Sequence, residues 1–311
     1  MGFWSNKSVV VTGGAGFLGS AIVRKLKQIN CHTLFAPRSR EFDLRQRDQV
    51  DGLFQATQPD IVIHAAGLVG GIAANVASPG SFFYDNAVMG IHVIEAARKF
   101  GLAKLILIGT VCSYPREAVV LREEGFWDGY PDEANAAYGL AKKMLLAQAQ
   151  AYRAQYGLNV IYLILANLYG PGETFDSENS HATAAIIEKC VEARARGDDE
   201  IILWGNGRVT RDFLYVEDAA QGILKAAEHY DGGEPVNLGT QRQTSIRTLT
   251  RTISELTGFS GTIVWDTTKP SGQPRRMVDT AKAAALFGFK AKTFLREGLT
   301  REIEWYQRSN S

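Results

Sequence analysis

Apolar runs of strand length alternate with helix-length periodic segments through the first two thirds of the chain. Runs of four or five apolar residues predict buried strands, and apolar residues repeating every three or four positions predict helices. This alternation is typical of a parallel sheet with helices on both faces. The predicted strands are 8–12, 33–36, 61–64, 105–108 and 160–164, and the predicted helices are 20–28, 50–56, 87–100 and 137–155.

The alternation loosens beyond residue 172, where Gly and Pro punctuate shorter segments. We predict helices at 182–196, 246–257 and 280–287 and a strand at 201–204. Such a portion is expected to cover the carboxyl edge of the sheet, where ligands bind in doubly wound folds. The predicted fold is therefore α/β, with two parts. The first is a doubly wound parallel-sheet Rossmann domain (residues 1–171 and 212–240), and the second is a smaller mixed α/β substrate-binding domain (172–211 and 241–311).

Charge and composition exclude several classes of partner. The 311 residues have a formal net charge of +1, without a block of basic residues that would suit nucleic acid or a membrane surface. Three widely spaced cysteines, Cys31, Cys112 and Cys190, fit neither a disulfide framework nor a zinc site, so no metal is expected. The first residues lack a signal peptide's apolar region, and no run is long enough to span a bilayer. We expect a cytoplasmic protein.

A glycine-rich segment at residues 12–19 (Thr-Gly-Gly-Ala-Gly-Phe-Leu-Gly) follows the first strand and opens the first helix. This context predicts a dinucleotide site, with glycines at the tight turn, at the phosphate approach and at the packing of helix on strand. The second strand ends without an acidic residue, and Arg38 and Arg40 offer guanidinium groups to a 2'-phosphate, which favours NADP(H). The alternative is that both arginines are solvated loop charges. The predicted cofactor contacts are Gly13, Gly16, Phe17, Leu18, Gly19, Arg38, Arg40, Asp43, Leu44, Ala65, Ala66 and Gly67.

Tyr138 and Lys142 form a candidate acid/base pair. Residues four apart share one face of a helix, so Lys142 can hold Tyr138 where its proton is easily given or taken. Thr110 and Cys112 lie upstream at the end of an apolar run, and His181 follows a polar loop downstream. Taken alone, Cys112 could be a buried apolar thiol and His181 a residue at a helix start, where Asn179 and Ser180 are also good capping residues.

With these pieces placed, the chain resembles an extended short-chain dehydrogenase/reductase. Within that superfamily it is similar to the branch of epimerase/reductases that act on a GDP-4-keto-6-deoxy sugar. The branch usually reads Gly-Ser-Ser-Cys-Ile-Tyr-Pro where residues 109–115 read Gly-Thr-Val-Cys-Ser-Tyr-Pro, and it often has Arg in place of Ala15. The resemblance rests on residues 69–75 (Val-Gly-Gly-Ile-Ala-Ala-Asn), 112–115 (Cys-Ser-Tyr-Pro), 135–142 (Asn-Ala-Ala-Tyr-Gly-Leu-Ala-Lys), 166–171 (Ala-Asn-Leu-Tyr-Gly-Pro), 179–181 (Asn-Ser-His) and 211–218 (Arg-Asp-Phe-Leu-Tyr-Val-Glu-Asp).

The resemblance implies NADPH-dependent 3,5-epimerisation and 4-ketone reduction. Tyr138 donates the proton, Lys142 binds the nicotinamide ribose and Thr110 bonds the ketone oxygen. Cys112 is the expected base, since two residues along an extended segment would put it on the face of Thr110, and His181 is the expected acid, which also contacts the cofactor. An imidazolium or the cationic nicotinamide would favour the thiolate. The expected substrate contacts are Asn167, Trp204, Arg211, Lys269 and Arg275, although Arg211 could instead pair with Asp212 and Trp204 could belong to the core.

Other readings stay open at this point. The substrate could be a related GDP-4-keto sugar such as a 6-deoxy-heptose, or the ketone could be reduced without epimerisation. A UDP-sugar 4-epimerase needs no cysteine and histidine pair, and a 4,6-dehydratase has Asp-Glu where this chain has Val111 and Cys112. A non-catalytic NADP-binding regulator would be expected to lose the catalytic residues. Relatives lead us to expect a homodimer formed through the helices at 87–100 and 137–155.

Overall fold

The chain is described by a computed structural model over residues 2–175, 181–269 and 275–309. Its strands are β1 (Ser8–Thr12), β2 (Thr33–Phe35), β3 (Ile61–His64), β4 (Lys104–Thr110), β5 (Val120–Leu121), β6 (Val160–Leu165), β7 (Asn167–Tyr169), β8 (Glu200–Trp204), β9 (Thr210–Arg211), β10 (Phe213–Tyr215), β11 (Val236–Leu238), β12 (Thr244–Ser245), β13 (Thr262–Asp266) and β14 (Met277–Val278). Its helices are α1 (Phe17–Gln28), α2 (Arg47–Thr57), α3 (Ile72–Ala77), α4 (Pro79–Lys99), α5 (Ala136–Tyr156), α6 (Ala182–Arg196), α7 (Val216–His229), α8 (Ile246–Thr257), α9 (Ala281–Phe287) and α10 (Leu295–Ser309).

Six strands form the central sheet, in the order β2, β1, β3, β4, β6, β11, and every neighbouring pair is parallel. All residues of β3 and β6 are buried, which is the pattern of strands covered by helices on both faces. The predicted doubly wound α/β fold is confirmed. The strand order reverses between β1 and β3, so the crevice outside their carboxyl ends is where such a fold binds ligands.

Some boundaries differ from the sequence prediction. Helix α4 begins at Pro79, eight residues before the predicted start, because proline is well tolerated in the first helical turn. Strand β4 continues to Thr110, which makes this residue the last of the strand. Helices α7 and α10 had no counterpart in the prediction, although the buried positions of α7 recur at helical spacing.

The described residues form two hydrophobic clusters. The larger surrounds the central sheet, and the smaller joins α6, α8 and α10 to β8, with Ile187, Cys190, Leu249 and Ile303 among its buried members. Phe287, in the segment that the sequence assigned to the substrate-binding part, packs in the larger cluster instead. Helix α9 therefore docks on the sheet side of the molecule. The division into two domains at the stated boundaries stays a prediction.

Helices α4 and α5 are each 21 residues long. Charged side chains interrupt α5, among them Lys142, Lys143 and Arg153. Within the described ranges, no helix is both long and apolar enough to cross a membrane.

Candidate active site

The glycine turn after β1 forms a bare backbone cradle. Gly13 has φ +70°, and a Cβ there would lie 2.7 Å from the backbone nitrogen of Ala66. A Cβ at Gly19 would overlap the carbonyl oxygen of Gly13. Helix α1 begins directly after Gly16, so the unpaired N–H groups of its first turn face the crevice between β1 and β3. A cradle of this kind suits the phosphates of a dinucleotide.

A cavity of about 550 Å³ opens beside this cradle. Arg38 and Arg40 line it, so both guanidinium groups stand at the cavity rather than on a remote loop. Asp43 lines it too, and Arg45 at 2.8 Å lowers the pKa of that carboxyl group. The other predicted contacts in the lining are Gly13, Gly16, Leu44, Ala66 and Gly67; Phe17, Leu18, Gly19, Ala65, Lys142 and His181 are not part of it, whereas Pro37, Ser39, Phe42, Asp85 and Met89, which the sequence did not single out, are.

Cys112 lies in a turn, not on an extended segment. Residues Val111–Ser113 form one 3₁₀ turn, and the backbone N–H of Cys112 donates to the hydroxyl of Thr110 at 3.2 Å. The expectation of an extended segment is therefore wrong, because the threonine hydroxyl offers the chain a local partner that starts the turn. The thiol nevertheless remains beside that hydroxyl, which acts on it as a hydrogen-bond partner.

The first turn of α5 packs directly on this 3₁₀ turn. A Cβ at Gly139 would lie 2.6 Å from the carbonyl oxygen of Cys112, and the hydroxyl of Ser113 donates to the carbonyl of Gly139 at 2.8 Å. Sequence reasoning did not identify Gly139, although a glycine directly after the tyrosine was visible. Its missing side chain lets the helix approach, which brings Tyr138 beside Thr110 and Cys112.

Burial sets the protonation of the polar groups around Tyr138. It raises the pKa of the phenol, while the hydroxyl of Thr110 opposes that shift, so the phenol keeps its proton at neutral pH. It lowers the pKa of Lys142 to about 8. Burial and the charge of Lys142 together lower the pKa of His64 to about 3, and its neutral ring lies 2.8 Å from the hydroxyl of Thr12 through Nδ1. Lys142 therefore carries its positive charge at pH 7 but loses it with a small rise in pH.

Two guanidinium groups, rather than an imidazolium, provide the positive charge at the thiol of Cys112. Burial raises the pKa of this thiol, whereas the hydroxyl of Thr110 and the charges of Arg276 and Arg211 oppose the rise, and Asp132 adds to it. Sequence reasoning missed Arg276 and Asp132. Adjacent residues of an extended segment face opposite ways, so the pair at 275 and 276 was a signal that one arginine would point inward.

His181 precedes α6 as its N-terminal cap residue, with extended backbone angles. Its side chain is half-buried, and burial lowers the pKa of its imidazole. The ring is therefore neutral at pH 7 in the free protein. Asn179 and Ser180, which complete this sequence motif, lie outside the described residues.

Four of the five predicted substrate residues fall into two pairs. Trp204 is 56% exposed, so it does not belong to the core, and the ammonium of Lys269 lies 5.8 Å from its ring centre. Arg211 and Arg275 flank Thr210, which bridges to Arg275. The remaining residue, Asn167, donates its side-chain amide to the backbone carbonyl of Asp212 at 3.0 Å.

Asp212 has partners other than Arg211. Its carboxylate accepts from the hydroxyl of Thr240 at 2.6 Å and from the backbone N–H of Gln241 at 3.0 Å. The charge of Arg211 acts instead on Cys112 and Asp132. Arg211 therefore belongs to the second pair of predicted substrate residues and also acts on the catalytic turn. In the part of the chain that the structure describes, no three His, Cys, Asp or Glu side chains are placed to hold a metal ion.

Comparison with known proteins places this chain in a family. The model of the NAD dependent epimerase/dehydratase family matches residues 9–239. A GDP-L-fucose synthase of Sinorhizobium fredii is 38% identical over 299 residues, covering 96% of this chain and 95% of that protein. A GDP-6-OMe-4-keto-L-xylo-heptose reductase from C. jejuni superposes with a TM-score of 0.93 at 26% identity, and all of both chains is covered.

A second solved structure carries a cofactor. It is a GDP-L-fucose synthetase from Naegleria fowleri bound to NADP, with a TM-score of 0.89 and 28% identity over 97% of this chain and 94% of that one. The sequence relative and the solved structures cover nearly the whole chain, and the family model covers residues 9–239. This chain belongs to the NAD dependent epimerase/dehydratase family, as its resemblance to extended short-chain dehydrogenase/reductases implied.

Proposed function

We propose that the protein is an NADPH-dependent enzyme that epimerises carbons 3 and 5 and reduces the ketone at carbon 4 of a GDP-4-keto-6-deoxy sugar. The observation that carries the proposal is the meeting of a phenol, a hydroxyl and a thiol where α5 packs on the turn after β4, at Tyr138, Thr110 and Cys112. Ketone reduction requires only the first two groups. A thiol beside them adds a base for inversion of the neighbouring carbons.

NADP(H) fits the crevice beside β1. The cradle at Gly13 admits only bare backbone close to a phosphate, and Arg38 and Arg40 supply cations for a 2'-phosphate at the adjoining cavity. Bound NADPH supplies the hydride. Lys142, whose pKa is about 8, is charged at neutral pH and donates to the hydroxyl groups of the nicotinamide ribose. The structure of the relative from Naegleria fowleri, which is bound to NADP, supports NADP(H) as the cofactor.

Tyr138 is the proton donor in reduction. Its raised pKa keeps the phenol protonated, so the proton is available when charge develops on the ketone oxygen. The hydroxyl of Thr110 bonds the same oxygen and orients it. The ammonium of Lys142, one helical turn along α5, stabilises the phenolate that remains.

Cys112 and His181 carry the inversion. The ketone acidifies the carbons on either side, and the thiolate of Cys112 takes a proton from one face, leaving the electron pair in an enolate. His181 in its protonated form returns a proton to the opposite face of the same carbon. Because burial favours the neutral ring, this role requires the imidazole to take up a proton when the anionic substrate binds.

The remaining predicted residues hold the nucleotide. Trp204 offers an exposed ring face for stacking, and Lys269 stands over that ring. Arg211 and Arg275, brought close by the backbone bridge between Thr210 and Arg275, supply cations for the diphosphate. Asn167 keeps its side-chain oxygen for the sugar, while its amide nitrogen donates to the backbone carbonyl of Asp212. The GDP-sugar names of the relatives support the substrate class.

A second candidate function is reduction of a related GDP-4-keto sugar, such as a 6-deoxy-heptose, without epimerisation. The high structural similarity to a heptose reductase favours it. Incubation with NADPH and a panel of nucleotide-linked 4-keto sugars in D₂O separates the two functions. The epimerase/reductase places deuterium on the ring carbons and inverts them, whereas a pure reductase leaves them unexchanged.

Two variants assign the steps in the same assay. Tyr138→Phe is expected to abolish ketone reduction while NADPH binding stays nearly intact, and unchanged turnover would refute the role of the phenol. Cys112→Ser is expected to stop deuterium exchange and to yield a product that is reduced but not epimerised. Full exchange in that variant counts against the thiol as base.

The protein is further proposed to act as a cytoplasmic homodimer. Three free cysteines support a reducing compartment. Large apolar side chains exposed on α4, namely Phe83, Tyr84 and Ile91, support a partner helix against this surface. Tyr84→Glu should shift the mass measured by analytical ultracentrifugation from dimer to monomer, and a wild-type chain that sediments as a monomer excludes the dimer.

A further inference from the structure

Arg276 lies behind the turn that carries Cys112. Its guanidinium donates from Nη1 to the carbonyl of Val111 and from Nη2 to the carbonyl of Pro115, each at 3.0 Å. These two carbonyls stand on either side of Cys112 in the chain, so one planar group braces both ends of the turn. The residue is only 8% exposed, and its hydrogen bonds are therefore largely shielded from competition by water.

The backbone holds Arg276 rigidly in this place. The next residue, Met277, begins β14 and donates its N–H to the carbonyl of Val119 at 3.0 Å, and β14 pairs with β5 in parallel. The preceding residue, Arg275, faces the other way and donates from Nε to Gln243 at 2.8 Å. Two consecutive arginines therefore have separate positions, one at the surface and one under the catalytic turn.

The charge of Arg276 is not neutralised by the groups that it bonds. Both acceptors are backbone carbonyls, which carry no net charge. Its Nε is buried and has no hydrogen-bond partner among the described residues. A buried cation with neutral partners keeps a positive potential around it, and this potential acts most strongly on the nearest group that can become an anion.

The groups around Cys112 come from several elements. Arg211 belongs to β9, Thr110 ends β4 and Tyr138 lies in α5, and Asp132 accepts from the backbone N–H of Ala134 just before that helix. Burial raises the pKa of the thiol, and Arg276 opposes this rise more strongly than Arg211 does. Asp132 acts in the opposite direction, so the balance depends on both arginines.

We propose that Arg276 is a positioning residue for the inversion step, which braces the Cys112 turn and, by its charge, favours the thiolate that removes the proton from the sugar. The proposal rests on the function proposed above for Cys112. Arg276 touches neither substrate nor cofactor in this scheme. In the step itself, the thiolate becomes a thiol as it takes the proton, the electron pair of the carbon–hydrogen bond passes to the enolate, and the thiol later releases its proton to solvent.

The test measures the pKa of the Cys112 thiol in the free enzyme, without substrate. Iodoacetamide alkylation is followed across pH 6 to 10 in the full-length protein, and the Cys112 peptide is quantified by mass spectrometry, which separates it from Cys31 and Cys190. Arg276→Gln, which loses the charge, should alkylate about three- to tenfold more slowly near pH 7 and reach the wild-type rate at high pH. Arg276→Lys keeps the charge and should follow the wild-type profile more closely.

Arg275→Gln is the matched control, since it removes the same charge one residue away, and its Cys112 profile should be unchanged. Near-ultraviolet circular dichroism and NADPH binding verify that each variant is folded. A wild-type profile for Arg276→Gln overturns the proposal, and so does an equal shift in the Gln and Lys variants, because the charge would then not be responsible. If Arg276→Gln does not fold, the Lys variant decides, because it keeps the charge: alkylation of Cys112 slowed about three- to tenfold near pH 7 overturns the proposal, and a retained profile supports it.

Deuterium exchange then relates the thiol to catalysis. In Arg276→Gln, exchange into the substrate should slow near pH 7 and recover as pH rises, in parallel with alkylation. If the wild-type enzyme exchanges solvent deuterium into none of the nucleotide sugars, the proposed function fails, whereas the alkylation result still stands. A normal exchange profile in a variant with slowed alkylation overturns the link between Arg276 and the inversion step.

Discussion

Lys142 provides a direct test of how burial and function oppose each other at this site. The residue is 4% exposed, and burial lowers its pKa from 10.5 to about 8. At about 1.4 kcal/mol per pKa unit, carrying the charge in the folded state costs about 3 kcal/mol at pH 7. Replacing Lys142 with Met, which fills a similar volume without charge, should therefore raise the free energy of unfolding of the apo protein by up to about 3 kcal/mol.

The sign of the pH dependence distinguishes this cause from packing. Between pH 8 and 10.5 the folded state has lost the proton while the unfolded state keeps it, so the stability of the wild type rises with pH. The advantage of Lys142→Met should then shrink from about 3 kcal/mol at pH 7 to about 1.5 kcal/mol at pH 9.5. Below pH 8 both states bind the proton, so the advantage should be constant there.

The assay is urea denaturation of wild type and variant at both pH values, with ketone reduction measured in parallel. Lys99→Met is the control, because this exposed lysine pairs with Asp51 at 2.7 Å and its loss should cost at most about 1 kcal/mol at either pH. Reduction by Lys142→Met should fall at least about 100-fold, since the ribose is no longer oriented. An advantage of equal size at pH 7 and 9.5 refutes the electrostatic reasoning.

Three further predictions concern the cofactor, a buried acid pair and the catalytic turn. Replacing both Arg38 and Arg40 with Ala should reduce the preference for NADPH over NADH about 10- to 100-fold, measured as the ratio of the two kcat/KM values. An unchanged ratio would show that the two arginines do not bind the 2'-phosphate. Glu302 is fully buried against a second carboxyl group, and burial raises its pKa to about 7. The folded state therefore holds a proton that the unfolded state has lost, so the free energy of unfolding should fall by roughly 2 kcal/mol from pH 5 to pH 7.5. Glu302→Gln should flatten that decline in urea titrations. Gly139→Ala should cost about 1 to 3 kcal/mol in thermal or urea unfolding because its Cβ meets the carbonyl of Cys112, whereas Gly80→Ala, with open space around it, should not destabilise.

The central sheet could be predicted from the sequence because its strands are continuous apolar runs. β3 and β6 are buried on both faces, so apolar residues follow one another in both strands, and His64 is the last residue of β3. The cradle at Gly13 was predictable for a related reason, since strand, turn and helix are local to about twenty residues. The helical pairing of Tyr138 and Lys142 is local as well.

Contacts between distant segments were decided only in the tertiary structure. Cys112 was expected on an extended segment, but the hydroxyl of Thr110 and the close approach of Gly139 turn the chain there. Arg276 reaches this turn from 165 residues along the chain, and a dibasic pair in the sequence does not tell which arginine points inward. A sequence records propensity and period over short distances, whereas the charge around a buried thiol depends on which remote side chains the folded chain packs against it.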